Sequence, residues 1–374
     1  MGTHKKGPSM ISDGGKENQM TLEEWIKDKP CALGEGVLKR FDGLLPFLFK
    51  VLSVNKGLSI QAHPTKELAA RLHREKPENY PDDNHKPEMA IALTDFEGLC
   101  GFRPYDEVAT YLETIPELET VVGMEESSSF ISACKASNDE HVRKSFFKRC
   151  FTSLMTRDTN IVKESLSALV GRLSKNTNSS ADLKDLLLRL NSQFPGDVGC
   201  FCIYFMNHII LKPLQAMFLA PNLPHAYLDG DCIECMACSD NTVRAGLTPK
   251  FRDVKTLCDM LDYSPGSRED NMFKCERDPS CPYSEVYNPP VPDFAVRKIL
   301  VPCKEISYML RPLNGPSIII IIEGKGHFEK SDFNKQIAIS AGTTVFCSAS
   351  HSLIINKENT KLFMFQAYCE VNSQ

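Results

Sequence analysis

The run HAYLDGDCIECMACSDNTVRAGLTPK, His225 to Lys250, gathers one histidine, several acids, one arginine and one lysine inside an apolar frame. Charges set among Ile233, Cys235, Met236 and Ala237 do not fit an ordinary surface loop, because a charge among apolar side chains is costly unless paired. Successive side chains of a strand point to opposite faces. Read as a strand, the run puts Cys232, Glu234, Met236 and Cys238 on one face and Cys235 on the other. The C-x-x-C-x-x-C spacing therefore does not converge on a metal, and the cysteines read as buried thiols. Glu234 becomes an inward acid of whatever the Cys232 face encloses. Arg244, between Val243 and Ala245, sits in a similarly apolar setting, from which a guanidinium can stabilise a developing oxyanion.

Two earlier stretches complete a donor set. SIQAHP (Ser59 to Pro64) carries Gln61 and His63 two apart, on one face of a strand, and YPDDNHKPE (Tyr80 to Glu88) ends in a carboxylate. Gln61, His63, Glu88 and His225 offer two imidazoles, one carboxylate and one amide oxygen, which suits a divalent ion such as Zn²⁺ with a position left for water or substrate. Two histidines and a carboxylate also fit a non-haem Fe(II) cupin oxygenase; Gln61 and the cations nearby weigh against it. Those cations are Lys50, Lys86, Arg244 and Lys250, and a phosphorylated substrate needs one or two of them. Neither a glycine-rich phosphate loop nor a G-x-S-x-G elbow is present.

With 374 residues, 42% of them hydrophobic, the chain has enough material for two or three domains. A net charge of -5 gives no basic footprint, which sets aside nucleic acid and anionic membrane and favours a small-molecule ligand. No apolar run reaches the roughly 18 residues of a membrane span, and MGTHKKGPSM has no apolar signal core. The fifteen cysteines are accordingly expected to stay reduced in the cytoplasm. Residues 1–20, rich in Gly, Lys, Ser and Asn, are expected to be exposed or poorly ordered.

Along the chain, Met20 to Pro30 predicts a short helix, Leu44 to Val54 a strand, KELAARLHRE from Lys66 a helix, and Met89 to Phe102 buried strand. Residues 103–195 change to helical periodicity in EVATYLETI, VRKSFFKRCFTSLM, IVKESLSALVGRL and ADLKDLLLRLNSQF, with Phe147, Phe151 and Leu154 on one stripe. Ser180, in NTNSSAD, is a candidate cap of the last of these. After Pro195-Gly196, CFCIYFMNHIIL and the run that follows predict strands again, and residues 251–295 a short helix and a Pro-rich linker. From Val296 onward short apolar strands alternate with Gly, Asn and Ser turns, as in a small barrel or sandwich, with Ile318 to Ile322 as a central strand. The expected architecture is mainly β with an α-helical insert, divided as 1–102, 103–195, 196–295 and 296–374.

YPDDNHKPE and the His225–Lys250 run together resemble the two signature stretches of the type I mannose-6-phosphate isomerase (phosphomannose isomerase) family. The resemblance extends through LPFLFKVLSV, SIQAHP, CGFRP and PPVPDF. It implies two cupin-type β-barrels (jelly rolls) with a helical domain inserted in the first, in a monomeric cytosolic enzyme holding one Zn²⁺ per chain through Gln61, His63, Glu88 and His225. It implies a pocket that includes Ser59, Lys86, Tyr227, Glu234, Arg244 and Lys250, and reversible conversion of mannose 6-phosphate to fructose 6-phosphate. On that reading Arg244 stabilises charge, Glu234 is the base with Lys86 or a metal-bound water as rivals, and Lys250, Ser59 or Lys50 holds the phosphate. His327 and His351, without companions, leave the second barrel structural. Family members begin with a leading segment carrying a Tyr-x-Trp-Gly-type motif, whereas this sequence starts at Met1-Gly2-Thr3-His4 and has Trp25 as its one tryptophan. The opening strands of the first barrel are therefore expected to be absent and its edges exposed. An inactive isoform that binds metal or sugar phosphate is the alternative this raises.

Overall fold

The computed structural model describes residues 1–13, 16–175, 182–279, 281–329 and 337–371, so the expected cap at Ser180 lies outside the described residues. Its organising element is the thirteen-residue strand His225–Ala237. The C-terminal half of this strand lies between Phe47–Val54 and Glu88–Ala92, in antiparallel register Lys50↔Glu234 and Glu88↔Met236. Its N-terminal half lies between Ile60–Ala62 and Phe96–Phe102, with Gln61 and Cys100 both opposite His225. The change of partners falls at Gly230, whose φ is +102° and where a Cβ would lie 2.3 Å from the carbonyl oxygen of Asp95. Only glycine meets both demands, a positive φ and so close a backbone. The irregularity there, with the register shift between Glu97 and Gly98, bends the strand and curls the sheet.

The same irregularity reverses the alternation of side chains. Tyr227 before it and Cys232 after it, an odd and an even position, both enter the cluster formed with Val54, Ala90, Phe96 and Cys100 inside the curl. Ile233 and Cys235 join Phe47, Phe49, Met89 and Ile91 on the outer face, against residues of the C-terminal region such as Val296, Ile318 and Phe365.

Among the described residues the curled sheet has nine strands, ending in order at Val243–Gly246 and Met272–Phe273, and these ends do not pair with each other. The C-terminal region forms sheets of six and four strands around a core of Ile299, Ile319, Ile321, Phe328, Ile355 and Met364. The molecule is thus a mixed α and β fold with a partly curled sheet. Two closed barrels are not what its strand pairing describes. Ser317–Glu323 is central, paired with Leu362–Tyr368 and Thr344–Cys347, as its run of isoleucines requires. Three strands fall where a short helix and a Pro-rich linker were expected: Met272–Phe273 joins the curled sheet, and Glu276–Arg277 and Ser284–Tyr287 both belong to the six-stranded sheet.

Between Phe96–Phe102 and Met206–Leu211 the chain is helical. Tyr105–Thr114, Glu140–Thr156, Thr159–Lys175 and Asp182–Gln193 match the predicted periodicity, and Phe147, Phe151 and Leu154 are fully buried. Pro116–Val122 and Met124–Ala136 are additional helices, the first short and the second weakly amphipathic in sequence. CFCIYF is not strand. Asp197 accepts the backbone N–H of Gly199 (2.7 Å), a short helix Gly199–Cys202 follows, and the strand starts only at Met206. Local turn chemistry outweighs the β preference of the aromatic residues here.

Residues 1–9 are docked rather than free. The Met1 amino group donates to the Phe49 carbonyl (2.7 Å), the Phe49 N–H donates back to Met1 (3.0 Å), and Gly2 is buried against Leu48. His4 and Lys6 reach Asp240 at 3.0 and 2.7 Å. A composition count misses these ties because each is one specific polar contact. The strand Phe47–Val54 pairs laterally with the long strand, and Val51 remains exposed. None of the described helices is long and apolar enough to cross a membrane.

The helix Leu22–Asp28 opens with a capping box, Thr21 accepting from the Glu24 N–H (3.2 Å) and Glu24 accepting from the Thr21 N–H (2.8 Å). Thr21→Ala is expected to lower stability by about 1 kcal/mol, read as a lower denaturant midpoint at unchanged slope.

Candidate metal centre

His63, Glu88 and His225 reach this centre from three different segments. His63 follows Ile60–Ala62, Glu88 opens Glu88–Ala92, and His225 opens the long strand. Their donor atoms lie within 4.8 Å of one another, and all three residues are buried. Both imidazole Nε2 atoms stand 3.4 Å from the same carboxylate oxygen, Glu88 Oε2. These three atoms are buried and have no hydrogen-bond partner.

Hydrogen bonding on the far side of each ring fixes what faces inward. His63 Nδ1 donates to the Asn241 carbonyl (2.7 Å) and His225 Nδ1 donates to the Leu223 carbonyl (2.9 Å). A carbonyl accepts only, so in each neutral ring the proton sits on Nδ1 and the Nε2 lone pair points at Glu88. Burial, with Lys86 nearby, lowers the His63 pKa to about 4, which keeps that ring neutral. Burial pushes the Glu88 carboxyl up, but the Lys86 ammonium, 2.9 Å from Oε1, leads the opposing effect and the group stays well below the usual carboxylate range. Three acceptors therefore converge with no proton between them. Only a cation satisfies such a set, and two imidazoles with one carboxylate are the donors of a zinc-type site.

Gln61 lies directly opposite His225 on one side and Arg244 on the other, so Arg244, Gln61, His225 and Cys100 form one cross-strand row on one face. Lys86 Nζ is 2.9 Å from Glu88 Oε1. Glu234 is buried and ion-paired to Lys50, whose ammonium also donates to Met236 Sδ (2.9 Å). Burial alone would lower the Lys50 pKa, yet Glu234 outweighs it and the pKa rises, so the ammonium persists. Tyr227 is buried with an unpartnered hydroxyl whose pKa burial, and then Glu234, drives upward.

Arg244 is half-buried, its pKa lowered by that burial, and it makes no side-chain hydrogen bond or ion pair among the described residues. The side chains of Ser59, half-buried before Ile60–Ala62, and Lys250, exposed beyond Val243–Gly246, likewise have no such partner there. No hydrogen bond or ion pair among the described residues joins these two to the cluster. The cysteine run takes no part: Cys232, Cys235 and Cys238 are free, and burial pushes their thiols up, Cys238 to about 12. Among the described residues no second group of histidine, cysteine and acid donors forms, around His327 and His351 or elsewhere. Asn241 and Leu223, whose carbonyls hold the two imidazoles, escaped the sequence reading, since a backbone carbonyl carries no residue signature.

A curled β-sheet whose interior holds two histidines and a glutamate with their lone pairs converging defines a protein with a buried site for one divalent metal ion. Three family descriptions match the chain: phosphomannose isomerase type I, catalytic domain, over residues 1–105; its helical insertion domain over 121–206; and its C-terminal part over 284–332. Mannose-6-phosphate isomerases from Bos taurus and Homo sapiens are 47% and 46% identical to it, each alignment covering 99% of this chain and 88% of the relative. A zinc-bound crystal structure of mannose 6-phosphate isomerase is 27% identical with a TM-score of 0.83, covering 99% of this chain and 90% of that one. A variant of the Salmonella typhimurium phosphomannose isomerase reaches 0.84 at 25% identity over the same shares. The chain belongs to the type I mannose-6-phosphate isomerase family.

Proposed function

We propose that this protein is a zinc-dependent aldose-ketose isomerase that interconverts mannose 6-phosphate and fructose 6-phosphate. The observation that carries the reading is the convergence of His63 Nε2, His225 Nε2 and Glu88 Oε2 with no proton among them. Gln61, His63, Glu88 and His225 would hold the ion, which would supply Lewis-acid polarisation of the sugar oxygens. The residues around it handle the proton. Glu234, a buried carboxylate held by Lys50, takes the C2 proton of the open-chain sugar and returns it at C1, while the O2 hydroxyl proton passes to O1 of the enediolate between the two transfers. Lys86, beside Glu88, is the rival for that role. Arg244, unpaired on the same face as Gln61 and His225, stabilises the enediolate that forms between the two transfers. Ser59, Lys250, Tyr227 and Lys50 bind substrate, with Lys50 the one whose side chain is already ion-paired.

We further propose that the curled sheet and the C-terminal sheets are cupin-type jelly rolls, with units 1–102, 103–195, 196–295 and 296–374. Support comes from the family matches and from the long strand shared by both halves of the curl. A cytoplasmic setting fits the fifteen free cysteines.

The test is a coupled isomerase assay on purified protein with metal analysis. The expected result is one zinc per chain, activity lost to a chelator and restored by zinc. Zinc and sugar-phosphate binding without turnover would make it an inert binding isoform. Oxygen consumption with Fe(II) and no isomerisation would make it an oxygenase.

A further inference from the structure

The loop Ser239–Asn241 supplies the carbonyl that orients His63, and it has no regular structure of its own to hold it. A different segment holds it. Asp82 Oδ1 accepts from the Ser239 hydroxyl (2.7 Å), from Asn241 Nδ2 (3.1 Å) and from the Asn84 N–H (3.1 Å), and Oδ2 accepts from the Asp240 N–H (2.8 Å). The backbone carbonyls of Asp82 and Asn84 accept from the same Asn241 amide at 2.7 and 2.9 Å. Asn84 Nδ2 in turn donates to the Cys238 carbonyl (3.0 Å). Asn241 is fully buried and Ser239 nearly so.

Every group that touches the Asp82 carboxylate is a donor. An ionised carboxylate accepts at both oxygens and donates at neither, so only that form matches the four partners. The loop it grips carries one further load, since the Asn241 carbonyl holds the Nδ1 proton of His63 and thereby aims Nε2 at Glu88. His63 is pinned from the other side too, its own carbonyl accepting from the Asn222 N–H (2.8 Å).

We propose that Asp82 is a positioning residue for metal binding: through Ser239, Asp240 and Asn241 it fixes the carbonyl that sets the tautomer and aim of His63. Asp82 touches neither metal ligand nor substrate, and its effect passes through backbone geometry. The inference rests on the zinc reading of the site.

Asp82→Asn preserves shape but must turn an amide N–H₂ toward a group that is itself a donor. Zinc affinity, measured by competition with a chromophoric chelator, is expected to fall about 10–100-fold. At saturating zinc, kcat and KM for mannose 6-phosphate are expected to return to within about twofold of the parent, because the aligned site is the same once filled. Ser239→Ala, which removes one donor and leaves the carboxylate, should weaken zinc in the same direction by less. Zinc affinity equal to the parent's in Asp82→Asn, or kcat that stays low at saturating zinc, overturns the proposal and leaves Asp82 a merely structural residue. Should Asp82→Asn fail to fold, Ser239→Ala decides, and unchanged zinc affinity there overturns it. A parent protein that binds no zinc defeats the metal reading itself, a result distinct from equal zinc binding by parent and variant.

Discussion

His225→Ala is expected to abolish stoichiometric zinc binding and isomerase activity while leaving the helical content intact. Substitutions of groups that only orient a metal ligand cost about 10–100-fold in affinity, so loss of a ligand atom itself should exceed about a hundredfold. The geometry explains why no neighbour takes over. Gln61, opposite in the ladder, is already in the proposed ligand set, and the Tyr227 hydroxyl remains protonated because burial drives its pKa upward. Without His225 the Glu88 carboxylate keeps Lys86 at 2.9 Å, so the buried charge retains a partner and collapse of the sheet is not expected. The helical core is built from Phe147, Phe151, Leu154 and their apolar neighbours without His225, and should report an unchanged circular dichroism signal. Retained stoichiometric zinc in this variant would remove His225 from the ligand set.

Much of this centre was legible in sequence, and what was hidden has one physical origin. A strand's period of two correctly separated Cys232 from Cys235, and the motifs carrying His63, Glu88 and His225 singled out the three donors that converge. Extending the same period back from Glu234 to His225 gives the wrong answer, because the separation is odd and the two should face apart. They nonetheless share the interior, since Gly230 reverses the alternation between Tyr227 and Cys232. The signal was present as a glycine between two aspartates inside an apolar strand, LDGD, the composition of a bulge. Its consequence for facing could be stated only once the register was known. Met1 and Gly2, tied down where exposure was expected, and the CFCIYF turn were misread for a related reason: a carboxylate meeting a particular N–H, or one amino group meeting one carbonyl, leaves no periodic trace.

Arg244→Ala should behave in the opposite way to His225→Ala, sparing the metal and the fold and striking the rate. Arg244 stands two strand spacings from His225, roughly 10 Å by backbone, on the same face and with Gln61 between them. A guanidinium left without hydrogen bond or ion pair, its charge partly stripped of water by half-burial, is poised for a partner that arrives during the reaction. The enediolate supplies such a partner, carrying charge that the ground-state sugar lacks. Loss of one preorganised donor to a developing oxyanion costs about 10²–10³ in kcat, and that is the fall expected here, with zinc still bound at one per chain. Arg244→Lys should recover only part of it, because an ammonium lacks the planar fork that meets two oxygens at once. The division between kcat and KM separates this role from its competitor. If kcat holds and KM for mannose 6-phosphate rises instead, Arg244 binds the phosphate in ground state and transition state alike, and the stabilisation of the enediolate has to be sought in Lys86 or the metal.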